Sequence, residues 1–150
     1  MYFGEYERTV DAKGRVTLPA HLLVSLNEQS FTRVMLLKGE PRCLFLYDLD
    51  TWKGVLNEAY TALPDDEGRV FMHRMLSDAQ VSDVDNLKRI TIPAPLLEHA
   101  QIERRVVIVG MFNRLEVWSP EVWKEYVDSM ADVEVPSIAD LSRARIREVS

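Results

Sequence analysis

The stretch Asp11-Ala-Lys-Gly-Arg-Val-Thr-Leu-Pro-Ala-His-Leu-Leu23 returns in register as Asp85-Asn-Leu-Lys-Arg-Ile-Thr-Ile-Pro-Ala-Pro-Leu-Leu97. Asp, Arg, Thr, Pro, Ala, Leu and Leu recur, and Val16 over Ile90 and Leu18 over Ile92 keep size and shape. A second pair of segments, Gly39 to Trp52 and Gly110 to Trp123, sets Leu44 over Leu115, Tyr47 over Trp118 and Trp52 over Trp123. Two matches in the same order make an internal duplication the economical reading.

Each copy reads strand, tight turn, strand, short helix, strand, turn, strand, helix. Tyr6 to Val10 and Val16 to Leu18 are β-prone runs around Asp11-Ala-Lys-Gly, where Asp can bond its own backbone and Gly can take a positive φ. A basic-tipped hairpin is expected. Pro19 then opens a short helix through His21 to Leu26. Arg33 to Leu37 and Leu44 to Tyr47 form the next strands around Gly39 to Arg42. Asp50 reads as the N-cap of a helix carrying Trp52, Val55, Leu56 and Ala59.

The second copy gives strands Gln80 to Val84 and Arg89 to Ile92, a helix from Pro93, strands Val106 to Val109 and Leu115 to Trp118, and a helix capped by Ser119. Between the copies Leu63 to Gly68 reads as a polar break and Arg69 to Leu76 as a linking helix. A charged helical tail, Ile138 to Val149, follows Pro136. The expected units are 1–60, a linking segment 61–78, 79–130 and a tail 131–150. A module of about 50 residues makes a thin core, so the copies should pack together as a pseudo-dimer, and their strand edges favour an oligomer.

The chain has 150 residues, 47% of them hydrophobic, and a net charge of −6. No apolar run reaches the roughly 18–20 residues that span a bilayer, and Met1-Tyr2-Phe3-Gly4-Glu5 lacks an export signal. With the lone Cys43, a cytoplasmic setting and no membrane contact are expected. His21, His73 and His99 show no metal-ligand spacing and read as helix-surface residues. The acidic residues near Glu5, Glu7, Asp11 and Asp65-Asp66-Glu67 are not framed as an acid/base pair. No enzyme, cofactor or small-molecule substrate is expected. Trp52, Trp118 and Trp123 read as core anchors, and Phe71, Met72, Met75 and Leu76 as an apolar stripe on the linking helix.

Phe3-Gly4-Glu5-Tyr6, Thr9 to Arg15 and Leu18-Pro19-Ala20 resemble the start of MraZ proteins, and Asp-x-x-x-Arg occurs twice, as Asp11 to Arg15 and Asp85 to Arg89. Val107 to Trp118 is similar to the family's second-repeat strand pair. The resemblance covers roughly residues 1–130. It implies a mainly β, α+β fold: two tandem AbrB-like swapped-hairpin modules packed as a pseudo-dimeric β-barrel with short flanking helices. It also implies a nucleoid-associated repressor of the division and cell-wall gene cluster, its own gene included, working as a ring on short repeats in promoter DNA. The chain departs from the family at Lys88, where Gly is usual, and at Leu23 and Leu97, where Arg is usual.

On that resemblance the DNA-binding residues are Arg15, Lys13, Arg8 and Gly14 of the first tip, with Arg89 and Lys88 of the second. Asp11 and Asp85 are structural turn residues. An exposed Asp11–Arg15 salt bridge, worth roughly 0–1 kcal/mol, is the plainer reading of that pair. The net charge weighs against a nucleic-acid binder, so the case rests on local cations acting in several copies. A ring scaffold that binds a partner protein is the alternative.

Overall fold

The computed structural model describes residues 1–20 and 32–149, with side chains described up to residue 144. The helix expected across His21 to Leu26, with Leu23, lies outside the described residues. The strands are β1 (Glu5–Thr9), β2 (Arg15–Thr17), β3 (Arg33–Gly39), β4 (Cys43–Asp48), β5 (Gln80–Asp83), β6 (Arg89–Thr91), β7 (Arg105–Met111) and β8 (Arg114–Trp118). The described helices are α1 (Leu49–Ala62), α2 (Asp65–Leu76), α3 (Ala94–His99), α4 (Pro120–Met130) and α5 (Ile138–Val149).

Six strands form one open antiparallel sheet in the order β1-β7-β8-β4-β3-β5, and β2 pairs with β6 as a separate two-stranded ribbon. The fold is therefore mixed α/β and rich in sheet. Helices occupy more of the described residues than strands do, which corrects the expectation of a mainly β chain. The strand order reads the same from either end when the copies are exchanged: β1 matches β5, β7 matches β3, and β8 matches β4.

The expected hairpins turn where the sequence places them, but their strands find other partners. β1 runs antiparallel to β7, with Tyr6 opposite Ile108, and β5 runs antiparallel to β3, with Val34 opposite Ser82. β2 and β6 pair with each other, Val16 opposite Ile90. Each copy thus lends its first strand to the other copy's third. Period-2 alternation fixes which face a side chain takes, not which strand lies beside it.

That alternation divides the core into layers. Val34 and Leu36 of β3, Leu44 and Leu46 of β4, Val106 and Ile108 of β7, and Leu115 and Val117 of β8 share one face. Val16, Leu18, Ile90, Ile92 and Leu96 pack onto that face from the ribbon and α3. On the opposite face, α1 brings Trp52 against Leu37 and Tyr47. There too α4 brings Trp123 and Tyr126 against Trp118, with the Trp118 and Tyr126 rings stacked at 4.8 Å.

Three local expectations are corrected. The N-cap of α1 is Asp48, not Asp50: its extended backbone lets Oδ1 accept from Thr51 N at 2.8 Å while Oδ2 takes the Thr51 hydroxyl at 2.7 Å. Ser119 fills the matching place before α4 and accepts from Val122 N at 3.1 Å. The segment read as a polar break is the first turn of α2, where Asp65, Asp66 and Glu67 complement the positive end of the helix dipole. His99 is not simply a surface residue, because its Nε2 lies 3.0 Å from the Gly39 carbonyl oxygen.

Ile90 is 1% exposed and joins the ribbon to the sheet. Ile90→Ala should lower stability by about 2–5 kcal/mol, read as a fall in the urea midpoint with an unchanged slope.

Candidate nucleic-acid interface

Each turn is built around one carboxylate. Asp11 Oδ1 accepts from the amides of Lys13 at 2.9 Å and Arg15 at 2.8 Å, and Oδ2 accepts from Arg15 Nε at 2.7 Å. The Asp11 amide donates to the Arg15 carbonyl at 2.9 Å, and the Gly14 amide returns to the Asp11 carbonyl at 3.0 Å. The second turn repeats this: Asp85 takes the amides of Leu87 and Arg89 and the Arg89 Nε, at 2.9, 2.8 and 2.8 Å. In each turn four contacts fix the backbone and one, to Nε, orients the arginine side chain.

A guanidinium has five N–H donors, and Asp11 engages Arg15 through Nε, the one nearest the chain. The side chain remains about one-third exposed, at 33%, and Arg89 is similar at 29%. The salt bridge and an outward-acting arginine are therefore compatible: the carboxylate aims the guanidinium.

The pairing of β2 with β6 assembles the two turns into one surface. Arg15 stands opposite Thr91, and Thr17 opposite Arg89. Val16 and Ile90 between them point into the core, so Arg15, Thr17, Arg89 and Thr91 share the outer face. Diagonal neighbours on such a pair lie about 7–8 Å apart. The ribbon is tied at both ends, Ile92 N donating to the Gly14 carbonyl and Leu18 N to the Lys88 carbonyl, each at 2.8 Å. Thr91 N also bonds Ser82 Oγ at 3.0 Å. Lys13 and Lys88 are exposed at the two tips.

Arg8 is placed elsewhere. It lies in β1, its Nη1 donating to the Glu7 carbonyl at 2.8 Å and its guanidinium 6.0 Å from the Tyr6 ring. Thr17 and Thr91 were not singled out from the sequence, although alternation around Val16 and Ile90 would have marked them. Arg104 and Arg105 were also missed. Both are exposed beside the first turn, Val10 N donating to the Arg104 carbonyl at 2.6 Å and Arg105 pairing with Thr9. At the equivalent place beside the second turn, Arg33 is bound to Asp83 at 3.1 Å. The first turn thus keeps more free positive charge.

Lys88 and Gly14 occupy the same place in the two turns, with φ of 62° and 79°. A Cβ built on Gly14 would stand 2.7 Å from the Ile92 carbonyl oxygen. Leu97, where the related pattern has Arg, packs against the core. Among the described residues no group of three His, Cys, Asp or Glu side chains could hold a metal ion. No described helix is long and apolar enough to cross a membrane.

The Arg15 amide, then its guanidinium and the Lys13 amide, hold the Asp11 carboxyl below its usual range. The Arg89 amide and guanidinium and the Leu87 amide do the same for Asp85. A depressed folded value means the stabilisation is complete above the unfolded value, near pH 3.9, and is lost as pH falls through the folded one. The Lys13, Arg15, Leu87 and Arg89 amide resonances should therefore hold steady from neutral pH to about 4 and move only in stronger acid, as an NMR titration can follow. Gly14→Ala should cost about 1–3 kcal/mol in thermal or urea unfolding. Lys88→Ala, which adds no Cβ, should change stability by less than about 0.5 kcal/mol.

The chain matches the family described as "MraZ protein, putative antitoxin-like" over residues 1–71 and again over 75–146. A "Transcriptional regulator MraZ" of Caldanaerobacter subterraneus subsp. tengcongensis is 42% identical over 141 residues, 93% of this chain and 95% of its own. Its namesake from Thermoanaerobacter sp. strain X514 is 41% identical over the same span and shares. Another, from Desulfitobacterium hafniense strain Y51, is 41% identical over 128 residues, 84% of this chain and 86% of its own. The family's match to both halves of the duplication and the identity of these relatives over most of the chain agree: the chain belongs to the MraZ family.

Proposed function

We propose that this protein is a transcription regulator that binds DNA sequence-specifically through the β2–β6 ribbon. The observation that carries the reading is the shared outer face of Arg15, Thr17, Arg89 and Thr91. A two-stranded ribbon fits the major groove, about 12 Å wide, where arginine pairs with guanine O6 and N7 and a threonine hydroxyl can meet either a donor or an acceptor on a base edge. Lys13 and Lys88 then contact phosphate, Gly14 serves by holding the first tip's turn against Ile92, and Arg8 is a flanking phosphate contact. The relatives' names support the regulatory role.

One ribbon offers few cations in a chain of net charge −6, so weak single contacts are multiplied by assembly. A ring of copies accordingly engages short promoter repeats. It acts as a cytoplasmic, nucleoid-associated repressor of the division and cell-wall cluster and of its own gene. The exchange of β1 and β5 between copies supports the swapped-hairpin arrangement, with the ribbon closing the open sheet into a barrel. The units of the duplication are 1–60 and 79–130, joined by 61–78 and followed by 131–150.

A second reading, a ring scaffold for a protein partner, is favoured by Leu87, 65% exposed at the second tip where the first has Lys13. Arg15→Ala separates the two. The DNA reading expects specific binding to the gene's own upstream duplex to fall at least tenfold, about the weight of one bidentate base contact, with oligomer size unchanged. Fluorescence anisotropy with a scrambled duplex as control measures it. Binding by the parent that is absent, or equal on the upstream and scrambled duplexes, would favour the scaffold.

A further inference from the structure

The C-terminal helix is built but not docked. Ser137 and Asp140 cap α5 reciprocally, Asp140 N donating to Ser137 Oγ at 3.0 Å and Ser137 N to Asp140 Oδ2 at 3.1 Å. Arg143 Nη2 adds a bond to Asp140 Oδ1 at 2.7 Å. Yet every residue from 127 to 144 is exposed, with Ile138 at 85% and Leu141 at 58%. A twelve-residue helix is marginal in water without a packed face. Its apolar side needs a surface that its own chain does not bring to it.

Charge selects that surface. The sequence of α5 carries Arg143, Arg145 and Arg147 against Asp140 and Glu148, a positive segment in an acidic chain. Beside α2 lies a groove of about 500 Å³ lined by Val70, Phe71 and Met75. Its rim bears Glu40, Asp66 and Glu67 against the single cation Arg74. The other groove along α2 has Asp65 offset by Arg69 beside His73, and so lacks this bias.

We propose that α5 of one copy docks in the α2 groove of a second copy, Ile138 and Leu141 entering over Val70 and Phe71 while Arg143 faces the acidic rim. The inference rests on the reading that the protein assembles from several copies, and it names the contact. Apolar burial supplies the attraction, and the charge pattern sets orientation and choice of groove.

The test co-expresses two differently tagged full-length chains, one carrying Val70→Cys and the other Leu141→Cys, under mild oxidation. Both positions are exposed, so folding should be undisturbed. The native Cys43 is fully buried, and burial pushes its thiol up to about 12, which keeps it silent. A disulfide between the differently tagged chains is expected, its yield falling severalfold when Asp66→Lys and Glu67→Lys are added. A third variant carrying both cysteines in one chain completes the test: a disulfide within that chain, with none between the singly substituted chains, would overturn the proposal in favour of a tail folded on its own body. No cross-link in an intact oligomer would also overturn it, while leaving assembly itself standing.

Discussion

The pairing of β2 with β6 spans three residues on each side, and most of what is specific to this molecule depends on it. Val16 and Ile90 anchor the pair to the sheet, and the bonds from Ile92 to Gly14 and from Leu18 to Lys88 fix its ends. A ribbon this short could not persist alone. It is held because each strand continues a turn whose other arm is built into the opposite copy's sheet. Exchange of β1 and β5 and pairing of β2 with β6 are one constraint: neither copy can complete its core without the other.

The same constraint settles the electrostatics. A net charge of −6 describes the chain, but a partner meets local fields, screened over about 8–10 Å in physiological salt. At the ribbon two guanidinium groups share one face, each oriented by a carboxylate that remains ionised at neutral pH. Asp11 and Asp85 cost some positive field and supply order in return: an arginine held by its Nε has lost much of its freedom before any ligand arrives. Each turn carries one exposed lysine, Lys13 or Lys88, and the difference lies beside them: among the described residues Arg105 has no salt bridge, whereas Arg33 is already paired with Asp83. If one turn leads in recognition, it is the first.

The duplication, the turn chemistry of Asp11 and Asp85 and the order of elements were legible because they are local: spacing, a proline at a helix start, a glycine at positive φ. The cap at Asp48 was also within reach, since the repeat sets it over Ser119, but Asp50 offered an equally familiar side chain. The early start of α2 was hidden by polarity, the acidic turn from Asp65 looking like a loop. The partners of β1 and β5 were beyond local reading, because alternation specifies faces and not neighbours. Thr17 and Thr91 were within reach of alternation around Val16 and Ile90, whereas their places opposite Arg89 and Arg15 were not.

The claim that the ribbon is where DNA is met can be tested by hydrogen–deuterium exchange of the full chain with and without its own upstream duplex. The account predicts slowed exchange concentrated in residues 11–18 and 85–92, stronger in the first segment and lost at high salt. Protection confined to the α1–α2 face, with both turns exchanging as they do in the free protein, would contradict it.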